Sequence, residues 1–442
     1  MLFLLAVILL AAAQQPARGQ LGNPSPAPTP IGIVTPWGGG HATIPIAITP
    51  FEGTGLGLDL AAVVMNDLKL SGFFTPPPNE QFARETDLLD RSKGSIQFAE
   101  WHRIGVLYLV KGSYKIVDGK LQWEFKTWDT VAQNYIFGEQ PKQAADAGEA
   151  RQEAHQIAND LIKRLTGEEG FADTQLTFIR ANDRYGKSKQ VCTMDADGVN
   201  LHAVTKQGEL TTTPCWGLHG TEIYYTTYRD YNPDLAGVIL RTGITWWISR
   251  YATLNISADW SEKAGRIALT LAKDGNSEIY TMSREGRDVR RMTTNRAIDC
   301  TPCWSPDGTQ IAFTSDRSGN NQIWIMDART QETRRLTYNG SYNDSASWAK
   351  GGSNKIAYAS RVSGTFQICT INPDGTGFAQ ITHGEDDCED PTWAPNGWVM
   401  AYVSNRTGSR HLYTMFADGT PIARLTSSGV QNQSPNWGPA RH

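Results

Sequence analysis

Two cysteines stand two residues apart in Cys300-Thr301-Pro302-Cys303, the spacing of a redox dithiol or of half a zinc knuckle. A zinc set would need a second such pair or nearby histidines, and the sequence supplies neither. The eight histidines, at 41, 102, 155, 202, 219, 383, 411 and 442, are scattered without ligand spacing. His155 falls on the polar side of a helix and is expected to be solvated. Met194-Asp195-Ala196-Asp197-Gly198 begins like a calcium loop, but such a loop needs Glu where Val204 stands, and helices where strands are expected. Asp-Gly recurs at Asp307-Gly308, Asp374-Gly375 and Asp418-Gly419, so turn chemistry explains it better. The sequence contains no Gly-x-Ser-x-Gly elbow and no His-Glu-x-x-His pair. Gly38-Gly39-Gly40 is followed by no helix signal, which removes a phosphate cradle. No catalytic residue, metal or cofactor is therefore expected. The chain reads as a binding protein.

Bulk composition narrows the partner. Of 442 residues, 41 are basic and 45 acidic, for a net charge of −4. No cationic tract stands out, so nucleic acid is not an expected partner. The opening MLFLLAVILLAAAQQ is too short an apolar run for a permanent span but suits a signal peptide over residues 1–13, with Ala11-Ala12-Ala13 as the small-residue cleavage site. No Lys or Arg precedes that run. Residues 14–30 are rich in Pro, Gly, Ser and Gln and read as a flexible leader. Export permits disulfides among Cys192, Cys215, Cys300, Cys303, Cys369 and Cys388, and sequence alone leaves all their pairings open. They are expected to be structural.

The elements fall into two regions. Over residues 31–170 the pattern is α/β, a mixed sheet with two helices. Ile44 to Ile48 is a short strand ending before Pro50. Leu60, Val64 and Leu68 share one helical face, and Ser71-Gly72 stops that helix. A second helix near 143–165 aligns Ala154, Ile157, Leu161 and Leu165 and ends before Gly167. Between them, 104–116 and 120–128 form a hairpin around Asp118-Gly119, with Leu121, Trp123 and Phe125 on the packed face.

Residues 171–442 are a repeat. Trp216, Trp260, Trp304, Trp348, Trp393 and Trp437 follow one another at intervals of 44, 44, 44, 45 and 44 residues. Short alternating runs such as IAFTS and QIWIM, parted by Asp-Gly and Ser-x-Arg-x-Gly turns, give four strands per unit, the period of a propeller blade. Central strands begin near Leu176, Glu222, Ile267, Ile311, Ile356 and Val399, so six blades are expected. The first lacks a preceding Trp segment, and the last Trp segment lacks following strands. Docking Ser434–Trp437 onto the strand begun at Leu176 closes the ring and removes the sheet edges. Residues 228–250 lose the turn signals and carry Trp246-Trp247, so the second blade departs from the pattern. The repeated tryptophans read as blade packing and not as a ligand platform.

The motif Trp-Ser-Pro-Asp-Gly-x-x-Ile-Ala-Phe-x-Ser-x-Arg-x-Gly (Trp304 to Gly319), repeated after an exported α/β domain, resembles the TolB family. IPIAITPFEG (Ile44 to Gly53), DLKLSGFF (Asp67 to Phe74) and KRLTGEEGFADTQLTFI (Lys163 to Ile179) are similar to that family's N-terminal region, and the resemblance spans roughly residues 31 to 440. It implies a periplasmic protein of the Tol–Pal envelope system that binds the Pal lipoprotein through one end of the propeller channel and TolA through its N-terminal segment. Membrane contact is then only indirect, through these partners, and a monomer is expected. Ile31, Gly32, Ile33, Val34 and Thr35 match the TolA-binding segment, although here they follow the Pro-rich leader. Loops preceding the blade Trp would bind Pal, which points to Asp299, Cys300, Thr301, Asn343, Asp344, Glu389, Asp390, Asn432 and Gln433. Charge reversal at Asp344 and Glu389 together should weaken Pal binding and leave thermal unfolding unchanged. The alternatives are a secreted propeller for a sugar or peptide outside any Tol system, and a remnant of a propeller-gated peptidase.

Overall fold

A computed structural model describes residues 43–143, 149–181, 188–427 and 429–441. The expected signal peptide, leader and TolA-binding segment lie outside the described residues. The N-terminal region runs β1 (Ile44–Ile48), α1 (Leu60–Ser71), β2 (Phe74–Thr75), α2 (Glu80–Lys93), α3 (Phe98–Arg103), β3 (Tyr108–Val117), β4 (Lys120–Asp129), β5 (Asn134–Gln143) and α4 (Ala150–Thr166). Its mixed sheet has the order β2-β1-β3-β4-β5, with β1 parallel to both neighbours. Asp59 caps α1 by accepting the Ala62 N–H, and Gly72 (φ 74°) ends it in the left-handed conformation that glycine adopts without Cβ strain. Asp118 (φ 52°) and Gly119 (φ 76°) form the expected tight turn between β3 and β4.

Helices α1 and α4 bury Leu60, Val64, Leu68, Ile157 and Leu161 against Ile46, Leu121 and Phe125 of the sheet. Two further helices, α2 and α3, cover the opposite face, where Trp101 packs with Ala47, Val106 and Leu109. Helix α2 docks by charge: Asp87 and Asp90 are buried and take Lys111 at 2.7 and 2.9 Å, and Asp90 also accepts the Trp101 indole N–H at 2.8 Å. A helix held this way shows no apolar stripe, so periodicity misses it.

Six four-stranded sheets follow. Blade 1 contains β6 (Thr174–Ala181), β7 (Lys189–Asp195) and β8 (His202–Ala203); blade 2 contains β9 (Thr211–Trp216), β10 (Glu222–Thr227), β11 (Asp234–Ile239) and β12 (Thr245–Ser249). Blade 3 is β13 (Asn255–Ser261), β14 (Arg266–Leu271), β15 (Glu278–Met282) and β16 (Arg290–Arg291); blade 4 is β17 (Asp299–Trp304), β18 (Gln310–Ser315), β19 (Gln322–Asp327) and β20 (Thr333–Arg335). Blade 5 is β21 (Asn343–Trp348), β22 (Ile356–Val362), β23 (Thr365–Ile371) and β24 (Ala379–Gln380); blade 6 is β25 (Cys388–Trp393), β26 (Val399–Ser404), β27 (His411–Phe416) and β28 (Pro421–Arg424). The final strand β29 (Asn432–Ala440) pairs antiparallel with β6, Trp437 opposite Leu176, and completes blade 1. The ring closes as the tryptophan spacing requires. Blade 2 keeps four strands despite its divergent text: Trp246 packs edge-on against Tyr224 at 6.2 Å, and Trp247 lies against Arg229 and Arg250.

The blade tryptophans are all buried, from 3% exposed at Trp437 to 8% at Trp260. Their backbone N–H groups also join the blades in series. Trp304 donates to Asp259 Oδ2 at 2.7 Å, Trp348 to Cys303 Sγ at 3.3 Å, Trp437 to Thr392 Oγ1 at 2.9 Å, and Trp216 to Asn436 Oδ1 at 2.9 Å. Each acceptor precedes its own blade's tryptophan by one residue. The last two bonds tie β29 to blade 6 on one side and blade 2 on the other. All six cysteines are free thiols, so the disulfides that export would permit are absent among them.

The N-terminal region sits on blades 1 and 6 at the end where the tryptophans lie. Phe171, in the connection from α4, packs edge-on against Trp437 at 5.5 Å, and Trp398 donates its indole N–H to Glu168 at 3.1 Å. Gly72 faces the Phe416 ring so closely that a Cβ there would lie 1.7 Å from it. His155, expected in solvent, is 2% exposed in this junction, because α4 presents its second face to the propeller.

Candidate functional site

The first strands of successive blades, β9, β13, β17, β21, β25 and β29, are neighbours around the axis and wall a central channel. Each spells the same six-residue pattern, ending in tryptophan. The first residue is buried in every blade: Thr211, Asn255, Asp299, Asn343, Cys388 and Asn432. The third has positive φ in every blade, at Thr213 (45°), Ser257 (54°), Thr301 (49°), Ser345 (55°), Asp390 (51°) and Ser434 (51°). Register shifts at each of these points mark a bulge. Non-glycine residues held there cost on the order of 1–3 kcal/mol each and persist where neighbours over-determine them.

Those neighbours are hydroxyls and carboxylates of the ring itself. Asp344 Oδ1 accepts from Thr301 Oγ1 at 2.8 Å, Thr314 Oγ1 at 2.7 Å and its neighbour Ser345 N–H at 2.6 Å. Asp390 accepts from Ser434 N–H at 3.0 Å and Ser434 Oγ at 3.3 Å, and from Ser345 Oγ at 3.4 Å. Blades 4, 5, 6 and 1 are thus linked through the channel wall. The channel has room for about 170 Å³ and opens to solvent. Desolvation raises the carboxyls of Asp390 and Glu389 above the usual carboxylate range, against the pull of Arg410. Burial, with Asp344 nearby, pushes the Cys300 thiol up to about 12.

The nine residues anticipated as a binding set lie on these inner strands and not on loops, and they do different jobs. Asp299 is buried and takes Asn295 at 2.6 Å and Arg317 at 2.7 Å. Asn343 donates to Gln322 Oε1 at 2.9 Å and Asn339 O at 2.7 Å, and Asn432 donates to Val430 O at 3.2 Å. These three hold their blades together and are out of a partner's reach. Thr301, Asp344 and Asp390 form the channel ring. Cys300, Glu389 and Gln433, second in their strands, are half-buried at the mouth. Glu389 pairs with Arg410 at 2.8 Å. Because Asp344 is so bonded, charge reversal there must disturb the fold, contrary to the expectation of unchanged unfolding. The segment Ile31–Thr35 lies outside the described residues.

Sequence reasoning missed the position just ahead of the buried first residue. Ile298 (51% exposed) and Leu254 (36%) occupy it in blades 4 and 3, and Tyr342 in blade 5 stacks edge-on with Phe366 at 5.8 Å. Apolar residues recurring one place before a buried polar one were the available signal. This rim faces away from the N-terminal region, because it lies at the strand ends opposite the tryptophans. A mixed apolar and charged rim around a narrow opening suits a protein surface better than a small molecule.

Comparison with known proteins identifies the family. The TolB beta propeller domain matches residues 162–441, and the TolB amino-terminal domain matches residues 34–136. The Tol-Pal system protein TolB of Rickettsia canadensis (strain McKiel) is 29% identical over 246 residues, 53% of each chain. Its counterpart from Rickettsia peacockii (strain Rustic) is 28% identical over 245 residues, again 53% of each. The chain thus spans about half the length of these curated relatives. The crystal structure of TolB from Acinetobacter baumannii superposes with a TM-score of 0.77 at 26% identity, covering 89% of this chain and 96% of that one. With its propeller matched from end to end and its N-terminal region matched ahead of it, this chain belongs to the TolB family.

Proposed function

We propose that this chain is the periplasmic TolB component of a Tol–Pal system, a monomeric, non-enzymatic adaptor. Its propeller mouth docks the Pal lipoprotein and Ile31–Thr35 engages TolA, in support of outer-membrane integrity and cell division. The observation that carries the reading is the rim itself: away from the N-terminal region, which sits on blades 1 and 6, the channel mouth presents Glu389, Arg410, Cys300, Gln433 and the exposed Ile298. Names of the relatives support the same system.

Calorimetric titration of the full chain with the soluble domain of Pal tests this. Glu389→Lys reverses a half-buried charge at the rim, and Ile298→Asp places a carboxylate on its apolar part. Each is expected to weaken binding about tenfold or more, in line with the cost of mispairing a charge in an interface. Unaltered affinity in both variants would remove the mouth from the docking site. No binding by the unmodified chain would remove Pal.

A further inference from the structure

The junction between the N-terminal region and the propeller holds a buried ionic cluster that the mouth does not use. Helix α1 contributes Asp67, and α4 contributes Arg151 and His155. The propeller contributes Asp195 at the end of β7 and Asp197 in the turn after it. Arg441, just beyond β29, reaches Asp195 at 2.5 Å, and Asp173, bonded to Asn159 at 2.6 Å, flanks the group.

His155 stands at the centre. Its Nδ1 lies 2.6 Å from Asp67 Oδ2, a contact within the N-terminal region. Its Nε2 lies 3.9 Å from Asp195 Oδ2, across the junction, and has no hydrogen-bond partner among the described residues. Arg151 pairs with Asp197 across the same junction. Four carboxylates (Asp67, Asp173, Asp195 and Asp197) therefore face two guanidinium groups, with Asp67, His155 and Asp195 buried at the centre and the arginines partly exposed at the edge. A neutral imidazole would present a lone pair to the Asp195 carboxylate. An imidazolium presents a proton to it and brings the cluster closer to neutrality, which a low-dielectric site favours.

We propose that His155 is a proton-operated latch between the two domains: charged, it bridges Asp67 on its own side to Asp195 on the propeller, and on losing its proton it releases the propeller side. The direction of titration agrees. Burial alone would lower the His155 pKa, but the hydrogen bond and charge of Asp67, aided by Asp197, raise it above the ordinary histidine value. Burial raises Asp67 to about 6, against the pull of His155, and raises Asp173 as well. Groups whose pKa rises on docking bind protons more tightly in the docked state. Asp67 acts from the side of His155 itself, docked or not; the propeller's Asp197 adds a rise that exists only when docked, so docking gains as pH falls through the raised histidine value and weakens as pH climbs through it. Asp67, His155 and Asp197 also have the makings of a cation site, but Arg151 already occupies the Asp197 side. The latch stands whether or not the mouth binds Pal.

Hydrogen exchange of the full chain, read by mass spectrometry near pH 6 and pH 8 with times scaled for intrinsic exchange, tests the latch. Peptides from α4 and from Asp195–Asn200 are expected to be about three- to tenfold better protected at the lower pH, with β17 and β21 unchanged, a pKa unit being worth tenfold. His155→Gln should abolish that difference, and Asp195→Asn should reduce it while leaving the N-terminal region intact. If the first variant does not fold, the second decides. An identical pH response in the unmodified chain and in the folded variants would overturn the latch. So would loss of protection on adding EDTA, which would assign the junction to a metal ion.

Discussion

Asp344 offers a quantitative test of how the channel wall is built. Asp344→Ala removes the acceptor for three donors, Thr301 Oγ1, Thr314 Oγ1 and Ser345 N–H, all within 2.8 Å. A hydrogen bond to a charged group contributes about 1.5–3 kcal/mol, and the half-buried site lets water recover part of the loss. Two of the donors are residues held at positive φ, Thr301 and Ser345, so the same change also frees strained backbone. The expected cost is about 2–4 kcal/mol, or roughly 4–7 °C in melting temperature for a domain of this size. Asp344→Asn keeps one acceptor oxygen and should cost about 1 kcal/mol. Glu389→Ala, which breaks a single partly exposed ion pair, should stay within about 1 kcal/mol. Urea midpoints with a constant slope, checked by calorimetry, measure all three. If Asp344→Ala and Glu389→Ala were equally mild, the carboxylate would not tie the blades together and the argument from the ring would fail.

Ring closure and the thiols give two more tests. Trp437→Ala opens a cavity at the closing strand and should cost about 3–5 kcal/mol, whereas Trp437→Phe, which keeps a ring but loses the 2.7 Å bond to Thr174 and part of the buried indole volume, should cost about 2–3 kcal/mol; unchanged urea midpoints would deny β29 its role. Burial pushes the Cys192 and Cys369 thiols up to about 11 and those of Cys215 and Cys303 higher still, so the native protein near neutral pH should react slowly with Ellman's reagent and release all six thiols in urea. Fewer than six after urea would reveal a disulfide.

The propeller was legible because its signal is repetition. A tryptophan at one position of every inner strand reports blade number and closure together, and the orphan strand at Leu176 leaves one partner for Trp437. Helix α1 was legible from an apolar face and a glycine stop. Helix α2 was not, because Asp87 and Asp90 are buried on Lys111 and Trp101 and look like surface residues in sequence. His155 failed for a related reason: α4 buries Ala154, Ile157 and Leu161 against its own sheet and His155 against the propeller, and only the first face is apolar enough to see. At the mouth, sequence located the right segment but not its register. Adjacent strand residues point to opposite faces, so Asn343 is buried within its blade while Asp344 faces the ring, and the left-handed Ser345 then breaks the alternation. Nothing in the residue types announces that.

Blade 1 is assembled from the two extremes of the propeller, residues 174–203 and 432–440, with five other blades between them in the chain. A chain made amino end first therefore cannot complete that blade until the other five have been made. Until then β6 is an unpaired edge, and Phe171 lacks the indole it packs on. Such long-range pairing is slow to find, so the propeller should mature as a unit only once the whole repeat region is available.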